Sequence, residues 1–171
     1  MGWSVMANLM ADTLHIERID YRPELAAETL AMWRRSFQQA MGLAQRNDPE
    51  DVAQQMAFLQ QIPIANIQLA FDHQASAVAG FFVQVGEEIE QLYVHPRYQG
   101  IGIGWEFVRL AKQRSPERVS LYTFAANRSA RAFYQRQGFV EIGRGTAAAE
   151  HNPWATSPEQ LADVRYQWTR A

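Results

Sequence analysis

Gln99-Gly100-Ile101-Gly102-Ile103-Gly104 decides how this chain is read. It follows the run Glu88 to Val94, which alternates as a strand does. It opens an apolar-periodic stretch from Gly102 to Arg114 that predicts a helix. Glycines at alternate positions let a backbone approach a ligand closely. The first turn of a helix carries N–H groups without intrahelical partners and the positive end of the helix dipole. Together these favour an anion, and a phosphate or pyrophosphate is the natural occupant. A plain strand-to-helix turn needs one or two glycines, not three. Trp105 stands where a dinucleotide fingerprint needs its third glycine. No Gly-Lys-Ser/Thr run follows, so a nucleoside triphosphate loop is also excluded.

Working outward, His15 to Tyr21 predicts a short strand. Pro23 marks the start of a helix from Glu24 to Met41, with Gly42 as its C-terminal stop. Asp48 caps a second helix that runs to about Gln61, and Pro63 closes it. Strands are expected at Ile64 to Phe71 and at Ala77 to Val85, where Gly80 signals a bulge. In Glu88 to Val94, strict alternation places Ile89, Gln91 and Tyr93 on one face and Glu88, Glu90, Leu92 and Val94 on the other. Beyond the glycine loop come a strand from Val119 to Phe124, a helix from Asn127 to Gln137 and a strand from Phe139 to Ile142. Gly143 to Leu161 reads as loop, and Val164 to Thr169 as a last strand. The order mixes antiparallel strands with two βα units, which predicts a mixed α/β (α+β) fold around one sheet.

The 171 residues fit a single domain, 1–171, with residues 1–14 as an N-terminal extension. The apolar share of 47% and charged share of 20% exclude a disordered chain. A net charge of -2 and the absence of a basic patch argue against a nucleic-acid partner. No apolar run is long enough to span a membrane, and the first residues make a poor signal peptide, so a cytoplasmic protein is expected. There is no cysteine, which excludes disulfides, thiolate metal sites and a cysteine nucleophile. His15, His73, His95 and His151 are scattered without ligand spacing, and no metal is expected.

Two blocks of the sequence, taken together, resemble the GNAT superfamily of acyl-CoA-dependent N-acyltransferases. The first is Gln99, Gly102 and Gly104 behind Leu92-Tyr93-Val94-His95-Pro96. The second is Asn127, Ala130, Phe133, Tyr134, Gly138 and Phe139. The resemblance is strong over residues 75–143. It implies a central, mostly antiparallel, twisted sheet of about seven strands with one splayed parallel pair, flanked by about four helices. It also implies acetyl-CoA as co-substrate, a small-molecule or peptide amine as acceptor, and direct attack of the amine on the thioester. Dimers are frequent among relatives, which leaves a homodimer open. The alternative is a non-catalytic acyl-CoA-binding or sensing module on the same fold.

The same resemblance implies roles for individual residues. The loop Gln99, Gly100, Ile101, Gly102, Ile103 and Gly104, with Trp105 in the next turn, would hold the CoA pyrophosphate. Leu92, Tyr93 and Val94 would pair with the pantetheine arm, and an N–H near Leu92 or Tyr93 would polarise the thioester carbonyl. Asn127 matches a cofactor-contacting asparagine, although it also suits a helix N-cap. Tyr134 matches the tyrosine that protonates the departing thiolate; a phenol is protonated at neutral pH and able to donate. Glu88 and Glu90 are the candidate bases, against the alternative of two solvated carboxylates. Other branches carry a glutamate on the next parallel strand where this chain has Tyr122. Loops like His151-Asn152-Pro153-Trp154 flank the acceptor site in the family, which leaves a substrate role open there; otherwise the loop is surface with Trp154 packed onto it. The stripe Trp33, Phe37 and Met41 reads as core, the alternative being that some of it lines the acceptor pocket.

Overall fold

The computed structural model describes residues 15–170, so the expected extension at 1–14 lies outside the described residues. In chain order the elements are β1 (Ile16–Asp20), α1 (Ala26–Ala40), α2 (Pro49–Gln61), β2 (Ile67–Asp72), β3 (Ala77–Val85), β4 (Glu88–Val94), α3 (Ile103–Arg114), β5 (Arg118–Phe124), α4 (Arg128–Arg136), β6 (Val140–Thr146) and β7 (Ala162–Thr169). The seven strands form one sheet in the order β1-β2-β3-β4-β5-β7-β6. Only β4 and β5 run parallel; the other neighbours are antiparallel. No helix among the described residues is long and apolar enough to cross a membrane.

Two apolar layers flank the sheet. On one face α1 and α2 bury Leu30, Trp33 and Leu59 against Ile67, Leu69, Phe81 and Val83. On the other, α3 and α4 bury Ile103, Phe107, Val108 and Tyr134 against Phe82, Ile89, Leu121 and Tyr166. Phe82 and Phe107 stack with ring centroids 5.1 Å apart. Each such buried side chain contributes about 1.5–3 kcal/mol relative to exposure. Lys112, the only lysine, ties α3 to the end of α4. Its ammonium donates to the Gln137 carbonyl at 2.7 Å and lies over Trp168.

Several sequence expectations shift at their edges. The expected strand at Ile64 begins only at Ile67, because Ile64–Asn66 forms a 3-10 turn closed by the Asn66 N–H on the Pro63 carbonyl. Asp48 stands at the start of α2 without a side-chain cap bond; its carboxylate pairs with Arg46 instead. The last expected loop is partly strand, since β6 continues through Gly143 and Gly145 to Thr146. Glycine is a poor strand former, so sequence hid this extension. Gly145 has a packing reason: a Cβ there would meet the Asp163 carboxylate at 2.9 Å. The bulge expected at Gly80 is present where β3 pairs β2, between Ala70 and Phe71.

Candidate active site

The site begins where β4 and β5 part. The strands pair at Glu88 with Ser120 and at Ile89 with Leu121, and no further. A bulge in β4 lies at the parting point. Val83 faces Gln91 and Gln84 faces Ile89, so Glu90 has no partner on β3. One extra residue resets both alternations of a strand. The sequence expectation for the faces of β4 is therefore corrected. Ile89 shares its packed layer with Leu92 and Val94, whereas Tyr93 packs on the α1 side.

The bulge also decides which backbone groups face the gap. The His95 N–H donates to the Ala79 carbonyl at 2.9 Å. Alternation then directs the Tyr93 backbone to β3 and the backbones of Leu92 and Val94 toward β5. Because β5 has left, these groups point into the split. The Val94 carbonyl is taken by the Ser36 hydroxyl at 2.8 Å and the Gln99 amide at 3.1 Å. The N–H groups of Leu92 and Val94 face the gap. On the opposite lip the Ser120 N–H bonds to the Glu87 carbonyl, so the Tyr122 and Phe124 backbones turn the same way. The Phe124 carbonyl accepts from Asn127 N–H.

The glycine loop ends at the N-terminus of α3. Gly100 and Gly102 have φ of +79° and +99°, a region that side chains disfavour. The first helical bond runs from Glu106 N–H to the Gly102 carbonyl. The N–H groups of Ile103, Gly104 and Trp105 therefore precede any helical partner, and no side chain caps them. The loop is anchored from behind. Tyr98, buried, donates its hydroxyl to the buried Asp72 carboxylate at 2.8 Å. Gly104 brings α3 close to α4: a Cβ there would sit 3.2 Å from the Phe133 ring.

Tyr134 rises from α4 into the layer beneath the split, against Phe133, Phe139 and Tyr166. Burial, and secondarily the Tyr93 phenol, push its pKa well up, so it stays protonated. Burial likewise raises Tyr93, although the Trp33 side chain opposes the shift. Glu90 is exposed at the bulge, yet neighbouring atoms partly desolvate its carboxyl, and this, followed by the charge of Glu88, raises its pKa. Glu88 lies across from Val85, on the α1 side with Gln91 and Tyr93. Asn127 caps α4 through its side chain, accepting from Ala130 N–H at 3.1 Å. Trp105 and Ile101 are exposed beside the loop, with Arg109 over the Trp105 ring.

On the α1 side, rings line the same gap. Phe37 meets Tyr93 of β4 at 6.5 Å, Phe124 of β5 at 6.0 Å and Trp154 at 5.2 Å, centroid to centroid. Trp154 meets Phe124 at 5.0 Å, edge to face. The His151 loop thus brings Trp154, not His151, to this wall; His151 is exposed beside Glu150. Of the α1 stripe, Trp33 is core while Phe37 is half-buried at the gap. Tyr122 is half exposed under the Arg165 guanidinium. Ser36, Tyr98 and Asp72 were not singled out from sequence. A serine inside the apolar face of α1 was the one visible signal, and Asp72 and Tyr98 carried none, being 26 positions apart.

The chain matches the family described as Acetyltransferase (GNAT) family over residues 29–139. A curated relative, peptidyl-lysine N-acetyltransferase YjaB of Escherichia coli K12, is 27% identical over 126 residues, covering 72% of this chain and 81% of YjaB. The solution structure of apo YjaB superposes with a TM-score of 0.69 at 21% identity, covering 91% of this chain and 99% of that one. The PaiA N-acetyltransferase of Thermoplasma acidophilum, solved in complex with coenzyme A, gives 0.62 at 16% identity over 91% and 99% of the two chains. With the family match spanning well over half of the sequence, and the split sheet beneath it, the chain belongs to the GNAT acetyltransferase family.

Proposed function

We propose that the protein moves the acetyl group of acetyl-CoA to an amine by direct attack, with the cofactor lying along the β4–β5 split. One observation carries this reading. The Leu92 and Val94 N–H groups face a gap that runs from the uncapped N-terminus of α3 to the Tyr134 layer. A pyrophosphate suits the N–H groups from Ile103 to Trp105, in the cradle of Gln99 to Gly104. An extended amide-bearing arm suits the vacated edge at Leu92, Tyr93 and Val94, past Asn127. The substrate of the YjaB relative, a peptidyl lysine, is an amine on an alkyl stem and agrees with an amine acceptor.

The chemistry then assigns roles. The neutral amine attacks the thioester carbon; the N–C bond forms and the C–S bond breaks. Charge developing on the carbonyl oxygen is met by the Leu92 N–H. The electron pair leaves with sulfur, and Tyr134 donates its hydrogen bond and then its proton there. Glu90, with Glu88 beside it, takes the proton the amine must shed, its raised pKa making it a better proton acceptor than a free glutamate. Tyr134→Phe tests the assignment. Turnover should fall by about 10²–10⁴-fold, with the KM for acetyl-CoA little changed. Unchanged turnover would remove Tyr134 from the mechanism.

A further inference from the structure

One buried polar side chain on the α1 side has no part in the chemistry above. Ser36 stands in the apolar face of α1, one turn beyond Met32, and is 3% exposed. A helical serine commonly returns its hydroxyl to the carbonyl one turn back. Ser36 instead sends its hydroxyl out of the helix, to the Val94 carbonyl at 2.8 Å. The Met32 sulfur, at 3.6 Å, is the farther and weaker acceptor for its single proton. Among the described residues this is the one hydrogen bond from α1 to β4. It falls on a peptide group already held at its other end. The Val94 carbonyl and the His95 N–H share one peptide plane, and that N–H donates to Ala79 of β3 at 2.9 Å. Gln99 also reaches the Val94 carbonyl, but from an exposed side chain. Beyond Ile89 the strand has no β5 partner. Among the described residues Ser36 is thus the buried tie on the free edge of β4 between the bulge at Glu90 and the end of the strand.

We propose that Ser36 is a positioning residue for acetyl transfer: it holds the free lip of β4 so that the Leu92 and Val94 N–H groups keep their aim into the gap. The inference rests on the acetyltransfer reading above and adds to it a residue that touches neither cofactor nor amine. The Val94 N–H lies one peptide from the clamped group, and the Leu92 N–H precedes it on the same edge. An oxyanion donor serves an oxygen only within about 2.7–3.1 Å, so a lip that tilts at Val94 loses polarisation at Leu92 before it loses the cofactor. The pyrophosphate end is anchored separately, by the glycine loop and the Tyr98–Asp72 bond behind it. The same serine fixes the next residue of α1, Phe37, whose ring meets Tyr93 of β4 at 6.5 Å. Ser36 therefore sets the acceptor wall against the cofactor lip, and small misplacements between reacting groups are costly.

The test is infrared spectroscopy of the full chain with acetyl-CoA isotope-labelled at its thioester carbonyl, which reads polarisation without an amine present. On wild type the carbonyl band should fall below that of free acetyl-CoA. In Ser36→Ala it should return at least half of the way to the free value. Ser36→Thr keeps the hydroxyl and should restore the wild-type band. Stabilisation by acetyl-CoA, read as a Tm shift, should persist in all three and verifies that each is folded and loaded. A wild-type band that survives in Ser36→Ala overturns the positioning role, as does a Ser36→Thr band that matches Ser36→Ala. Loss of stabilisation in Ser36→Ala alone also overturns it, because the serine would then hold the cofactor rather than aim the lip. A wild type stabilised by acetyl-CoA whose band stays at the free value overturns the Leu92 donor and the role built on it, while cofactor binding stands. Failure of acetyl-CoA to stabilise the wild type overturns the cofactor reading itself.

Discussion

Replacing Tyr98 by Phe removes one oxygen from behind the glycine loop, and its cost can be worked from the structure. The hydroxyl donates at 2.8 Å to an Asp72 carboxylate that is 3% exposed, from a ring that is 6% exposed. The other carboxylate oxygen accepts the N–H groups of Gln74 and Ala75, which the variant keeps. A hydrogen bond to a buried charge contributes about 1.5–3 kcal/mol, and the packed ring remains, so the loss should fall in that range. Burial by itself would raise the Asp72 pKa. The Tyr98 hydroxyl, the two backbone N–H groups and Arg97 outweigh it, and the net direction is down. A carboxylate held below its unfolded value stabilises the fold above about pH 4, and that contribution fades as pH falls through the folded value. The deficit of Tyr98→Phe should therefore be complete at pH 7 and shrink below about pH 4.

Urea melts of wild type, Tyr98→Phe, Asp72→Asn and the double variant measure this directly. The cycle should return a coupling of about 1.5–3 kcal/mol at neutral pH. Because Tyr98 adjoins Gln99, the variant should also raise the KM for acetyl-CoA several-fold with kcat nearly unchanged. A deficit that stays constant as pH falls from 7 until Asp72 of the folded protein is protonated would refute the ionised acceptor. A stability loss with an unmoved KM would show that this anchor does not hold the cofactor loop.

Gly80→Ala should destabilise by about 1–3 kcal/mol and weaken acetyl-CoA binding, because its Cβ would lie 2.9 Å from Ile103 and Phe107 in the first turns of α3. Gly86→Ala, with nothing within 4 Å, is the control; it should cost stability through its φ of +56° and leave acetyl-CoA affinity alone. Glu90→Gln should cut kcat by about 10²–10⁴-fold and abolish the acid limb of the pH–rate profile. In wild type that limb should lie above the value of a free glutamate, since the Glu90 pKa is raised. Loss of the limb in Glu88→Gln instead would move the base one turn of the strand away.

How far the site could be read from sequence follows from what kind of physics fixes each part. The loop from Gln99 to Gly104 was legible because positive φ at Gly100 and Gly102 restricts the residue type itself. Asn127 was legible for a similar reason: a side-chain oxygen that bonds a nearby N–H leaves its mark at that position. The α1 and α3 boundaries came from local periodicity and held to within a few residues. The Tyr98–Asp72 anchor was invisible because tertiary packing creates it, joining residues 26 positions apart in the chain.

The bulge at Glu90 is the decisive case. Nothing in Glu88-Ile89-Glu90-Gln91-Leu92 signals an extra residue: there is no glycine, and the alternation is unbroken on paper. Without the bulge, Gln91 and Tyr93 would turn their backbones to the gap, and Leu92 and Val94 would pair with β3. Tyr93 would then leave the wall it shares with Phe37. With it, the strand delivers two free N–H groups to one side of the sheet gap and keeps an aromatic side chain on the acceptor side. The same extra residue ends the β4–β5 pairing and sets a carboxylate at the mouth of the split. A deletion of Glu90 therefore tests more than a base. It should re-register β4 and lose acetyl-CoA binding, whereas Glu90→Gln should lose turnover and keep it.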